Sequence, residues 1–96
     1  MNYRNRKLLD LAHNAPCMAK FDHQCMGHLG CDPAHSDSSI FGKGKGLKAH
    51  DWAFASMCNT AHMMLGQMER EERFYEWLHA FVATQKYLWE EGLVKC

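Results

Sequence analysis

The sequence is organised around a stretch rich in cysteine and histidine that runs from Cys17 to His62. It holds four of the five cysteines and five of the seven histidines, and no long apolar run interrupts it. A chain of 96 residues buries only a modest core, and domains of this size often need a metal or a disulfide to hold them together. The sequence therefore predicts one domain, in which flanking helices pack around a metal-stapled centre.

The number of cysteines predicts a structural zinc site. Zinc in such sites takes four sulfur or nitrogen ligands in a tetrahedron, and four cysteines precede the C-terminal one. The predicted ligands are Cys17, Cys25, Cys31 and Cys58, with His28 and His23 competing with Cys31 for the fourth place. The alternative is that these cysteines are buried without metal, as small apolar side chains.

The N-terminal sequence MNYRNRKLLD is basic but lacks the apolar core of a signal peptide. No stretch approaches the roughly 18 apolar residues of a membrane span, so we expect an intracellular protein without a membrane partner. In a reducing compartment, five cysteines suggest metal ligands or thiols, and a secreted, disulfide-linked protein is the alternative. A net charge of zero argues against a strongly basic coat but allows local basic patches.

Both ends of the chain have the apolar spacing of helices. In residues 1–15 apolar side chains recur on one face, and Pro16 disfavours helical geometry in the residue before it. The other face is basic and could contact phosphates or remain in solvent; its residues are Arg4, Arg6 and Lys7. Residues 68–92 predict a long amphipathic helix that Gly92 ends. Its aromatic stripe belongs to the core or extends into a contact of a homodimer.

Between the helices, residues 16–66 are predicted to form the zinc-stapled finger. A glycine-lysine loop within it carries Lys43, Lys45 and Lys48. These lysines could neutralise the phosphates of a nucleic-acid backbone, although a solvated connecting loop has the same composition. The pattern of a phosphate-binding P-loop is absent.

Residues 51–57 suit two kinds of element. Their alanines favour a helix, and their alternation suits a short strand. The following residues open a helix on which Cys58 and His62, four positions apart, share a face. One of them can therefore serve the zinc while the other points into a neighbouring site, although a lone histidine is more often a packing residue.

The order of these motifs resembles the HNH nucleases, and more narrowly the small YbcO-like nucleases of lambdoid prophages and phages. The shared order is Cys-x7-Cys, Ala-His, a glycine-lysine loop ending in Lys-x-x-Asp, and Cys-x-x-x-His, with a basic start and the ending YLWEEGLVK. The resemblance implies an α+β, mostly helical fold with a small two-stranded ββα-metal, or treble-clef, finger. It also implies a single nuclease domain over residues 1–96, in the cytoplasm of a bacterial host.

The chemistry that the resemblance implies is metal-dependent hydrolysis of phosphodiester bonds in nucleic acid, DNA more than RNA. His35, on the first strand, would be the general base, because an imidazole titrates near working pH. His62, on the finger helix, would hold a catalytic divalent cation, with help from Asp51 at the loop end. Magnesium or manganese suits carboxylate and water ligands, whereas imidazole suits later transition metals.

Two positions depart from the family pattern. Ala61 replaces the second cysteine of the finger helix, and Cys31 could supply the missing sulfur. Ala34 stands where many HNH enzymes have a metal ligand directly before the base, which leaves Asp51, His50 or a water to complete the catalytic site. The alternative function is a catalytically incomplete zinc finger that binds DNA or a host protein, and a third is a purely structural zinc domain.

Overall fold

The computed structural model describes residues 3–24, 31–44 and 48–94. The α-helices are α1 (Arg6–Asp10), α2 (Asn59–Gln67) and α3 (Arg70–Glu90), the strands are β1 (Asp32–His35) and β2 (Phe54–Met57), and 3-10 turns lie at Leu11–Asn14 and Ser39–Phe41. The expected α+β class is confirmed, with helices predominating over strands. Within the described ranges, no helix is long and apolar enough to cross a bilayer.

The predicted N-terminal helix forms in two short parts. Asn5 caps α1 by accepting a 3.1 Å hydrogen bond from the backbone N–H of Leu8, as Asn does at helix N-termini. The 3-10 turn continues α1 and ends before Pro16, and Ala15 has extended backbone geometry. This is the effect predicted for the residue before a proline.

The two strands pair antiparallel, with Pro33 opposite Ser56. Ser56 directs both of its backbone groups away from β1: its N–H donates to the hydroxyl of Thr84 at 2.9 Å, and its carbonyl accepts from Met18 N–H at 2.8 Å. The Pro33–Ser56 pair is therefore not a hydrogen-bonded pair of the ladder. For that reason the missing N–H of proline costs the sheet no bond.

Strand β2 is buried on both faces, and α3 packs along it. Ala55 and Met57 belong to a cluster with Trp77, whereas Phe54 packs in a second cluster with Leu88. Of residues 51–57, which suited either a helix or a strand, the last four therefore form a strand covered on both sides. Because several of the buried residues here are alanines, a helix can approach the strand closely.

We predict that Thr84→Val destabilises the fold. The substitution keeps the shape of the side chain but leaves the buried N–H of Ser56 without its partner, which should cost about 1–3 kcal/mol. Urea denaturation would measure the loss, with Thr60→Val as the matched control on α2. Equal effects of the two substitutions would contradict the role assigned to Thr84.

Candidate metal centre and histidine cleft

Three potential metal ligands meet where the N-terminal segment reaches the start of α2. The ligand atoms of Cys17, His23 and Cys58 all lie within 4.8 Å of one another. Sγ of Cys17 is 3.7 Å from Nε2 of His23, and it accepts a 3.3 Å hydrogen bond from the backbone N–H of Cys58. Two sulfurs and one imidazole nitrogen match the ligand types of structural zinc sites.

A contact of the Nδ1 atom of His23 with the backbone orients the ring so that Nε2 faces the cysteines. Nδ1 lies 2.8 Å from the carbonyl oxygen of Phe21. Because a carbonyl can only accept, Nδ1 carries a proton, and in the neutral tautomer the lone pair of Nε2 would face Cys17. Histidines that bind metals commonly donate their other nitrogen to a carbonyl or carboxylate in this way, so His23 is oriented as a ligand.

Burial raises the pKa of the Cys17 thiol to about 11, although backbone hydrogen bonds from Cys58 and Ala19 partly oppose the effect. Without a metal this thiol is therefore protonated at neutral pH. A coordinated divalent cation favours the thiolate instead, so metal binding here is coupled to release of a proton.

The remaining predicted ligands are placed as follows. Cys31 is fully buried in the core directly before β1, and it is not a member of the Cys17–His23–Cys58 group. Cys25 and His28 lie outside the described residues. The structure therefore brings together two of the four predicted cysteines, and it adds one of the two histidines considered for the fourth place.

His35 and His62 line one cleft. His35 is the last residue of β1, and His62 lies one turn after Cys58 on α2. Both border an open depression of about 310 Å³ that also touches Lys43 and Lys48. Both lysines are exposed, whereas Lys45 falls outside the described ranges. Cys58, the N-cap of α2, therefore lies in the cysteine–histidine group, and His62 within the same helix borders this cleft.

Asp51 lies beside His35 and is almost fully buried. Its Oδ1 is 3.5 Å from Nε2 of His35 and 3.0 Å from the guanidinium of Arg4, and its Oδ2 accepts from the backbone N–H of Asn5. Arg4 also donates to the carbonyl oxygens of Ala49 and Lys48. Arg4, predicted on a basic outer face, therefore contributes to holding the loop that carries Asp51.

The pKa values of this pair follow from burial and charge. Burial raises the pKa of Asp51, but the hydrogen bonds from Asn5 and Arg4 outweigh it and the net pKa is lowered. Burial is the largest influence on His35 and lowers its pKa, and Asp51 only partly opposes this. At neutral pH the cleft therefore presents a neutral imidazole beside an ionised carboxylate.

His50, which the sequence offered as a further ligand, is engaged elsewhere. Its Nδ1 accepts a 3.0 Å hydrogen bond from the backbone N–H of Tyr3, and its ring stacks on Trp52 with centroids 5.3 Å apart. The residues before α1 thus close over the loop that ends at Asp51, with a further hydrogen bond from Asp51 N–H to the carbonyl of Tyr3.

Sequence reasoning missed two charged residues of the cleft, Asp37 and Arg73. Both border a second, smaller depression of about 130 Å³ together with His35 and His62. Asp37 lies two residues after β1, and Arg73 lies in the first turn of α3. Arg73 ends a run of five charged residues that opens the long helix, and such a run carries no sign of which member faces a cleft, so only the fold reveals that Arg73 reaches it.

Comparisons of the chain with protein-family models, curated proteins and solved structures found no match. The resemblance to HNH nucleases therefore depends on the order of motifs in the sequence, and the functional proposal depends on the geometry of the cleft.

We predict that the protein binds one zinc per chain and that Cys17→Ser and Cys58→Ser abolish tight binding. His23→Ala should weaken zinc binding strongly, because it removes the oriented Nε2, whereas His79→Ala on the exposed side of α3 should not. Metal analysis and competition with a colorimetric chelator would measure both. Zinc content equal to wild type in the Cys58→Ser protein would exclude this site.

We predict that the stabilisation contributed by Asp51 is lost in acid. Because the folded-state pKa of Asp51 is lowered, its contribution is present above the unfolded-state pKa and disappears as pH falls through the folded-state pKa. The difference in unfolding free energy between wild type and Asp51→Asn should therefore be largest near neutral pH and shrink below about pH 4. Denaturation at several pH values tests this, with Asp10→Asn as the exposed control.

Proposed function

We propose that this protein is a metal-dependent endonuclease of HNH type, from a phage or prophage, that hydrolyses phosphodiester bonds in nucleic acid. The observation that carries the proposal is the shared cleft of His35 and His62, with an ionised carboxylate behind His35. DNA is the expected substrate, following the family resemblance. A structural zinc held by the cysteine–histidine group would fix the helix on which His62 lies.

In this proposal His35 is the general base. Its Nε2 is buried and faces Asp51, so Nδ1 is the nitrogen left to take a proton from an attacking water. The contact of 3.5 Å between Nε2 and Oδ1 is long for a hydrogen bond, and such bonds often tighten only in the complex with substrate. A closer approach would let Asp51 hold the ring and stabilise the imidazolium that forms.

His62 is exposed on α2 and provides an imidazole ligand for a divalent cation. A cation there would supply charge stabilisation for the phosphate and the leaving oxygen. Both oxygens of Asp51 are already contacted by Arg4, Asn5 or His35, so we assign Asp51 to positioning His35. Lys43 and Lys48 at the border of the cleft would neutralise neighbouring phosphates of the backbone.

A zinc-finger module that binds nucleic acid or a host protein without cutting is the second candidate. It is favoured by Ala34, which is fully buried and has no metal-binding group. It is also favoured by the hydrogen bonds that Asp51 and His50 already accept from the N-terminal segment. In that case the same lysines and cleft would serve binding alone.

We predict that His35→Ala lowers the rate of metal-dependent nicking of plasmid DNA by about 100- to 10,000-fold, the usual contribution of a general base. His62→Ala should also lose activity, while His79→Ala should cut at the wild-type rate. Zinc content and melting temperature, measured on the same samples, should remain near wild type in all three variants.

The acid limb of the pH–rate profile should fall below pH 6.5, the ordinary pKa of histidine, because the lowered pKa of His35 keeps the base neutral to lower pH. An equal nicking rate in wild type and His35→Ala would remove His35 from the base role. If the wild type cuts neither DNA nor RNA with magnesium, manganese, nickel or zinc, the binding-module function replaces the nuclease.

A further inference from the structure

An ion pair between Asp37 and Arg73 lies in the cleft. Nε of Arg73 is buried and lies 2.7 Å from Oδ2 of Asp37 without the alignment of a hydrogen bond, and the two side chains are 28% and 47% exposed. A second guanidinium nitrogen of Arg73 donates to the carbonyl of Met68 at 3.2 Å. The guanidinium is thus anchored to the backbone on one side, and on the other it holds a carboxylate that solvent can reach.

Asp37 places an acidic side chain inside the surface that we propose to bind nucleic acid. It borders three adjoining depressions: the two that contain His35 and His62, and a larger one of about 530 Å³ that contains Lys43 and Arg70. In a groove that receives a phosphodiester, a fixed carboxylate would repel the ligand. The ion pair with Arg73 offers a way to avoid this repulsion, because the guanidinium balances the charge of the Asp37 carboxylate.

We propose that Arg73 is a phosphate-binding residue of the cleft, and that Asp37 occupies its guanidinium until a backbone phosphate of the nucleic acid replaces the carboxylate. The planar donors of arginine fit carboxylate and phosphate oxygens alike, so one can take the position of the other. The Met68 carbonyl keeps the guanidinium in place during the exchange, and Asp37 turns toward solvent. The inference depends on the proposed function, since it names how the same cleft holds its substrate.

The exchange predicts opposite effects from the two members of one ion pair. Removing the charge of Asp37 eliminates the competitor and should strengthen binding of nucleic acid, whereas removing the charge of Arg73 eliminates a phosphate contact and should weaken it. An ion pair that only stabilises the start of α3 would affect melting temperature without this opposition, and an exposed pair contributes little to stability in any case.

The test is the affinity of the zinc-loaded protein for a fluorescein-labelled DNA duplex, measured by anisotropy without added catalytic metal so that cleavage does not intervene. Asp37→Asn should bind several-fold more tightly than wild type. Arg73→Gln should bind about 10-fold more weakly or worse, and its salt dependence should be smaller by about one phosphate contact. Arg73→Lys, which keeps the charge but lacks the planar donors, should fall between wild type and Arg73→Gln.

Asp10 and Lys86 provide the controls. Asp10 is an exposed carboxylate that also forms an ion pair, with Arg6 at 3.5 Å, and Lys86 is an exposed cation of α3 that borders a different depression. Asp10→Asn and Lys86→Gln reproduce the changes in net charge and should alter affinity much less. Melting temperatures of all variants show whether each remains folded.

Equal affinities of Asp37→Asn and Asp10→Asn, or wild-type affinity of Arg73→Gln, would overturn the inference while leaving the nuclease proposal intact. Weaker binding by Asp37→Asn would also overturn it, since that result would make Asp37 a contact to the ligand. A wild-type protein that binds neither DNA nor RNA at low salt would remove the proposed function and this inference together.

Discussion

The constraint on which the structure depends is the burial of β2 on both faces and at both edges. A strand in that position must find a partner for each backbone N–H and carbonyl, because an unpaired polar group in a dry interior is costly. The partners come from different parts of the chain: β1 on one edge, and Met18 and the hydroxyl of Thr84 on the other. Each contact therefore also fixes the position of a segment that carries a candidate site residue.

Cys17 and His35 show this dependence most directly. The N–H of Met18 binds β2, so the neighbouring Cys17 is held where β2 ends and α2 begins. His35 pairs with Phe54 at the other end of the same strand. Because Cys58 is the N-cap of α2 and His62 lies within that helix, a metal bound at the cysteine–histidine group would also restrain the helix that borders the histidine cleft. Such a metal would therefore couple the cysteine–histidine group to the cleft through α2 and β2.

The sequence predicted the elements better than the contacts of charged side chains. The long helix, the stop before Pro16 and the helix of His62 follow from periodicity and local backbone preferences, which short-range physics sets, although that helix begins after Cys58, its N-cap. Residues 51–57 stayed ambiguous because burial on both faces depends on what packs around the strand. The ion pair of Arg4 with Asp51 joins residues 47 positions apart, and no local sequence pattern encodes such a contact.

Asp51 and Asp37 are the two acids beside the cleft, and each is paired with a cation. The zero net charge of the whole chain therefore does not describe the electrostatic field inside the cleft. Asp51 is contacted by Arg4 and Asp37 by Arg73, so each carboxylate is balanced by a cation within 3.0 Å. Each pair has no net charge, and the cations Lys43 and Lys48 also border the cleft. The pairs differ in burial, however: Asp51 is shielded and holds a loop, whereas Asp37 is open to solvent and its partner can exchange. A buried carboxylate that lost its cation would bear a large desolvation cost, but an exposed one would be hydrated, and this difference makes Arg73 rather than Arg4 available to a phosphate.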